Sequence, residues 1–295
     1  MEILSQVFLP LSLAIIMFGM GMTLVPLDFS RIVKFPKAVF LGLFNQLILL
    51  PLVGFGLVML FDLEPIMAIG VMVLAACPGG VTSNLITQIC KGNIALSVTL
   101  TAIASVVSIF TIPFILSESI NYFGTGTGTK IELPIVATIL QIMAITIVPI
   151  SLGMLVKNRK SDFATRMEKP MRTASTVIFI LVFIAVIAAN FSLMGEAMKR
   201  VGVVTLLLNV GTMAIGYFSA RLLKLDVKSA ITITVESGIQ NGTLAFVVVT
   251  TILNNIEMGI PAGAYSVWMF VTGGILMMVL GRRKEVKSER VGIEE

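Results

Sequence analysis

Nine stretches of the chain stay apolar for 20 residues or longer, at about 5–25, 36–61, 66–89, 93–117, 133–156, 173–194, 200–221, 228–254 and 260–281. Each is long enough to cross a hydrocarbon core about 30 Å thick as a helix. The runs are continuous rather than alternating, which sets aside a transmembrane barrel. Two of the nine are interrupted at mid-depth. In the third, Cys77-Pro78-Gly79-Gly80-Val81-Thr82-Ser83-Asn84 places a proline and two glycines before three polar residues. In the eighth, Thr234-Val235-Glu236-Ser237-Gly238-Ile239-Gln240-Asn241-Gly242-Thr243 puts a carboxylate, two amides and two glycines where lipid tails would lie. Proline removes a backbone donor and crowds the preceding turn, and glycine weakens a helix by about 1 kcal/mol relative to alanine. An ionised carboxylate at the bilayer centre costs about 2.5–3.5 kcal/mol on insertion scales. A segment that concentrates these penalties recovers them by binding something there. The eighth stretch therefore reads as a broken transmembrane helix around an ion site.

Two interrupted helices in corresponding positions of two halves are the strongest sequence pointer to a transporter binding site. If the ancestral unit has five helices and the first half lacks its first, the halves are spans 1–4 and 5–9. The interrupted helix then holds the same place in both. An odd number of helices per unit makes the two repeats inverted. Repeat one runs over about 1–120 and repeat two over about 131–282, within a single membrane domain, 1–295. The Gly-Thr run at 124–129 looks like the flexible connector.

Charge distribution fixes an orientation. With the N-terminus outside, all but three of the 21 basic residues fall in cytoplasmic segments, the exceptions being Lys130, Lys199 and Arg200. The positive-inside rule gives N-out and C-in, as expected for a multi-pass protein of the inner, cytoplasmic membrane. Composition agrees: 57% of residues are hydrophobic and only 13% charged, where a soluble domain has about 25%. The net charge of +5 sits in loops, so no nucleic-acid partner is read from it. The N-terminal run, preceded by Glu2 and no basic residue, is read as a retained helix. No obligate protein partner is evident; the expected partners are the lipid bilayer and a small substrate.

Of the acidic residues, only Glu236 lies inside a span. There is no histidine, which excludes haem, most zinc sites and Ser-His or Cys-His nucleophiles. Without a buried aspartyl pair or a metalloprotease motif, an intramembrane enzyme has no chemistry to use. Cys77 and Cys90 read as buried or helix-end thiols rather than metal ligands. Ser97 and Thr101, at i and i+4, share one helix face. Gln46 and Asn209 are amides that need several partners, Gln141 either lines a cavity or joins helices, and Gly19-Met20-Gly21 marks close helix packing.

Gln46, Pro78-Gly79-Gly80, Ser83-Asn84, Gly92-Asn93-Ile94-Ala95-Leu96-Ser97, Thr101, Glu236, Gln240-Asn241 and Ser266-Val267-Trp268 together resemble the bile acid–sodium symporter family, most closely its bacterial members. The resemblance covers essentially the whole chain. It implies an all-α fold of two inverted repeats, the first helix of repeat one missing, sorted into a panel (spans 1, 5 and 6) and a core (spans 2–4 and 7–9) in which the two broken helices cross. It implies two coupling Na+ ions. The first would use Ser83, Asn84, Ser97, Thr101 and Glu236; the second Gln46, Glu236, Gln240 and the carbonyls of Ser237 and Ile239. An anionic substrate would dock at the half-helix N-termini, near Val81, Thr82, Asn241, Gly242 and Thr243. Some bacterial members have Thr at the place of Val81 and a His-Asn pair at the place of Met269-Phe270.

The independent chemistry agrees, since hard cations favour oxygen ligands. The expected function is sodium-coupled symport of an organic anion, bile-acid-like or a small carboxylate, by alternating access. The alternatives are proton coupling through Glu236 and an arsenite-type exporter of related fold using Cys77.

Overall fold

Prolines and short polar side chains set where the helices begin. The computed structural model describes residues 8–124, 133–167 and 191–281, with isolated positions between 170 and 184. Helix α1 (Leu9–Gly21) carries Pro10 in its first turn, and α2 (Pro26–Ser30), α3 (Pro36–Leu60) and α4 (Pro65–Ala76) each open on a proline. Proline suits this position because its missing N–H would have no helical partner there. After α5 (Val81–Ile89), α6 (Ile94–Phe123) starts where the Asn93 side chain accepts from the Leu96 N–H. Then come α7 (Ile135–Arg159) and α8 (Phe191–Leu222). Helix α9 (Val227–Gly238) is capped by Asp226, α10 (Gly242–Ile252) by Asn241, and α11 is Ile260–Gly281. The described residues form no strand, only one isolated antiparallel bridge between Gly79 and Gln240.

Both interrupted stretches are broken as expected. Span 66–89 is α4 and α5, parted at Cys77–Gly80, and span 228–254 is α9 and α10, parted at Ile239–Asn241. Cys77 takes an extended conformation (φ −74°, ψ 146°) ahead of Pro78, as a residue before proline must.

Five helices are long and apolar enough to cross a membrane unbroken. They become six if Leu9–Gly21 and Pro26–Val33, bent by 77° at Met22–Val25, count as one span. The two broken stretches add short apolar helices, Pro65–Ala76 and Gly242–Ile252. Most of the sixth expected span, 173–194, lies outside the described residues, as do the C-terminal tail and the Gly-Thr run after Gly124. The structure therefore bears out an all-helical membrane protein without counting nine spans. One loop is corrected. The outer turn read at 195–199 is helical, part of the 32-residue α8. At 1.5 Å per residue α8 is about 48 Å long, so its first turns, with Lys199 and Arg200, reach beyond the hydrocarbon as helix rather than coil.

Large apolar side chains such as Phe40, Leu52, Phe110, Phe114, Val136, Leu140, Phe218 and Val279 face outward, which suits lipid as solvent. Inside, α1 packs on α7, and α8 on α9 and α11. The α1–α7 approach is backbone to backbone. A Cβ on Gly21 would lie 2.1 Å from the Ile150 carbonyl oxygen, and one on Gly153 would lie 2.3 Å from that of Phe18. The expectation of close packing at Gly19-Met20-Gly21 thus holds at Gly21. Asp28 is buried beneath α6, where its carbonyl accepts from the Thr99 hydroxyl (2.9 Å) and its carboxylate pairs with Arg31.

Candidate ion and substrate site

The breaks expose backbone groups that need partners in a medium without water, and they find them in each other. The Asn241 N–H donates to the Pro78 carbonyl at 2.8 Å, beside the Gly79–Gln240 bridge. The Gly238 carbonyl, released where α9 ends, accepts from Asn209 Nδ2 (2.7 Å) and from the Tyr265 hydroxyl (2.8 Å). Thr272 in turn donates to Asn209 Oδ1 at 2.7 Å. The two unwound turns are thereby crossed and held from α8 and α11.

Glu236 occupies the last turn of α9 and is 1% exposed. Its Oε1 accepts from the Ser97 hydroxyl (2.5 Å) and its Oε2 from that of Thr101 (3.0 Å). Asn84 Oδ1 faces the same two hydroxyls at 2.7 and 3.4 Å. The shared face of Ser97 and Thr101 is thus turned onto the carboxylate. Gly79 makes room for it, because a Cβ there would sit 2.7 Å from Glu236 Oε2 and 3.2 Å from Ser83 Oγ. Ser83 is buried and donates to the Gly80 carbonyl (2.7 Å). Of the first expected ligand set, Asn84, Ser97, Thr101 and Glu236 form one hydrogen-bonded cluster, with Ser83 at its edge.

The second set begins beside the first, since a Cβ on Gly79 would also lie 3.4 Å from Gln46 Nε2. Gln46 sits on a wide turn of α3, Asn45–Leu49, where the helix is locally π; such turns re-aim side chains and favour functional places. Its amide nitrogen faces Gln240 Oε1 at 3.3 Å. Gln240 Nε2 reaches back to the carbonyls of Glu236 (3.3 Å) and Ser237 (2.9 Å). Gln46 Oε1 and Ser237 Oγ are buried without a hydrogen-bond partner. Orphaned buried oxygens are expensive; Gln46 Oε1 belongs to a residue expected to hold a cation, whereas Ser237 Oγ lies against Gly216 of α8. The donor set is all oxygen; no group of three or more His, Cys, Asp and Glu side chains suited to a transition metal exists among the described residues.

The expected substrate residues divide. Val81, Thr82 and Thr243 are half-buried, whereas Asn241 and Gly242 are buried. The Asn241 side chain caps α10 through the Leu244 N–H (3.0 Å), and Gly242 packs against Ser266 Oγ. Beside the cluster a cleft of about 190 Å³ opens between α1, α5, α6 and the end of α7, walled by Met20, Val81, Asn84, Gln88, Val98 and Lys157 among others. Of the five candidates only Val81 lines it. Tyr265 was not legible as a site residue, because a tyrosine within an apolar helix carries no signal of its own. Cys77 is free, fully buried and at the end of α4.

The broken crossing helices and the oxygen-rich cluster around Glu236 suit an integral membrane protein of the ion-coupled transport class. The sequence pattern of the Sodium Bile acid symporter family matches residues 10–199, and the chain belongs to that family. It is similar to the uncharacterized sodium-dependent transporter YocS of Bacillus subtilis (strain 168), 30% identical over 287 residues, covering 97% of this chain and 86% of that one. It is also similar to the chloroplastic probable sodium/metabolite cotransporter BASS1 of Arabidopsis thaliana, 28% identical, covering 90% of this chain and 64% of the plant protein. The ileal sodium/bile acid cotransporter of Homo sapiens is 24% identical, covering 84% of this chain and 70% of the human one. These relatives are transporters, and an enzymatic role finds no counterpart among them.

Proposed function

We propose that this protein imports an organic anion together with two sodium ions by alternating access in the cytoplasmic membrane, N-terminus outside and C-terminus inside. The observation that carries the reading is the buried Glu236 carboxylate, ringed by hydroxyl and amide oxygens where two broken helices cross. One ion binds between Ser83, Asn84, Ser97, Thr101 and Glu236. The other binds between Gln46, Gln240, Glu236 and the carbonyls of Ser237 and Ile239, and satisfies the orphaned Gln46 Oε1. The hydroxyls that now donate to Glu236 rotate to present lone pairs when a cation enters. Sodium thereby supplies the positive charge that the buried carboxylate lacks.

The two-repeat architecture is supported by a parallel between the halves. In each, a helix of 12 residues (α4, α9) leads into the break and a shorter helix follows it. The flanking turns, at Asp62 and Lys91 in one half and Lys224 and Asn254 in the other, hold non-glycine residues at positive φ. The panel and core division draws support from the close backbone contact of α1 with α7. Rocking of the panel against the core opens the substrate cleft to one side at a time.

The test is uptake into proteoliposomes under an inward sodium gradient. Glu236→Ala and Gln240→Ala abolish it, and equal uptake in choline buffer would overturn the reading. Proton coupling is separated by collapsing the pH gradient at constant sodium.

A further inference from the structure

Beside Gln46 stands a second buried amide that the ion chemistry does not use. Asn45 is 2% exposed and opens the wide turn of α3. The Leu50 N–H donates to its carbonyl, one residue further along than an α-helix reaches. Pro51 follows the turn and brings no N–H, which loosens the helical ladder at this place. A turn loosened in this way does not by itself fix where the Gln46 side chain points, and Gln46 meets Gln240 through one long contact of 3.3 Å.

Asn45 fastens the turn from a neighbouring helix. Its Nδ2 donates to the Ser219 hydroxyl of α8 at 2.9 Å, and that hydroxyl donates to the Gly216 carbonyl one turn back at 3.2 Å. Gly216 lies against α9, since a Cβ there would sit 2.9 Å from both the Ile233 carbonyl oxygen and Ser237 Oγ. Ser237 follows Glu236, and its carbonyl accepts from Gln240 Nε2 at 2.9 Å. The contacts close a circuit through α3, α8 and α9 that returns to Gln46. The stretch 216–219 of α8 thus holds both walls of the second set, α3 by a hydrogen bond and α9 by the side chain that glycine lacks.

The circuit contains three buried oxygens without a hydrogen-bond partner, Asn45 Oδ1, Gln46 Oε1 and Ser237 Oγ. Asn45 bonds Ser219 while its own Oδ1 stays unpaired. That carries a free-energy cost which an apolar side chain would not, so helix packing alone does not account for an amide at this position. We infer that Asn45 is a positioning residue for the second ion: by fastening the wide turn of α3 to Ser219, it holds the Gln46 amide where it meets Gln240 and the cation. The inference rests on the two-ion reading above and deepens it. Asn45 acts through the adjacent Gln46, and Ser219, partly exposed near the end of α8, is the other half of the same device.

The experiment follows the melting temperature of the purified full-length protein in detergent as sodium chloride replaces choline chloride. Asn45→Ala and Ser219→Ala each raise the half-stabilising sodium concentration about tenfold, as loss of one buried hydrogen bond would. The double variant raises it no further than either single, because both break the same bond. Ser219→Thr keeps the hydroxyl and stays within about twofold of wild type, as a conservative change does. A merely structural role would lower the melting temperature equally with and without sodium and leave the half-stabilising concentration where it was. That result in either single variant overturns the inference, as does a double variant whose shift is the product of the two. Ser219→Ala, at a partly exposed position, carries the test if Asn45→Ala fails to fold. The two-ion reading fails separately, if sodium does not stabilise the wild type or stabilises it and Glu236→Gln equally.

Discussion

The Ser97 hydroxyl lies 2.5 Å from Glu236 Oε1, although 139 residues separate the two in sequence. That contact ties α6, the helix that follows the first broken span, to α9, which ends at the second break. Ser97→Ala removes one oxygen from the cluster and leaves the carboxylate in place. Loss of one ligand worth about 1.4 kcal/mol is a tenfold change in affinity. The sodium concentration for half-maximal uptake is expected to rise roughly tenfold, with the folded protein recovered in normal yield. An unchanged sodium dependence would remove Ser97 from the ion site.

Gly79→Ala tests the space on which the cluster depends. Its Cβ would lie 2.7 Å from Glu236 Oε2, and overpacking of this kind costs about 1–3 kcal/mol. Sodium-dependent stabilisation should be lost along with several degrees of thermal stability. Gly56→Ala is the control, since nothing lies within 4 Å of a Cβ there. It is expected to melt no lower than wild type, since alanine favours a helix over glycine, and to keep the sodium-dependent stabilisation.

Asn209 and Tyr265 satisfy one carbonyl between them, that of Gly238. Asn209→Ala or Tyr265→Phe alone leaves it one donor, at a cost of about 1 kcal/mol. The double variant leaves it bare in the protein interior. Its destabilisation in a double-mutant cycle should therefore exceed the sum of the singles. Strict additivity would mean that another donor reaches the carbonyl.

Asp226 is exposed at the start of α9, where its carboxylate accepts from the Ser229 backbone N–H (3.0 Å) and hydroxyl (2.6 Å). Partial burial opposes its charge, but the hydrogen bonds from Ser229 and the neighbouring backbone outweigh it and lower the carboxyl below its ordinary value. A carboxyl lowered on folding contributes stability above its unfolded pKa, and that contribution fades as pH falls through the folded value. Asp226→Ala should cost about 1 kcal/mol at neutral pH, as loss of an N-cap does. The difference from wild type should shrink as the melt is repeated toward pH 3.

The breaks, the lone buried carboxylate and the shared face of Ser97 and Thr101 were all legible in the sequence. Each violates what a lipid-embedded helix would otherwise contain, and violation is what sequence displays. Besides Tyr265, two things were not legible. The loop read near Lys199 is helix, because charge at a bilayer surface marks depth and is silent about backbone conformation. Lys157 had been counted only as a marker of sidedness. Its place on a cleft wall depends on how α7 packs against α1 and α5, and no local pattern records that.

The pairing of Asn241 with Pro78 has a consequence for how the molecule is made. A ribosome delivers Ser83, Asn84, Ser97 and Thr101 to the bilayer well before Glu236 emerges. Until then the first unwound turn has its backbone groups open, with no partner strand to close them. Assembly of the polar centre is thus among the last events of biogenesis, and a chain arrested before α9 would hold half a socket that grips nothing.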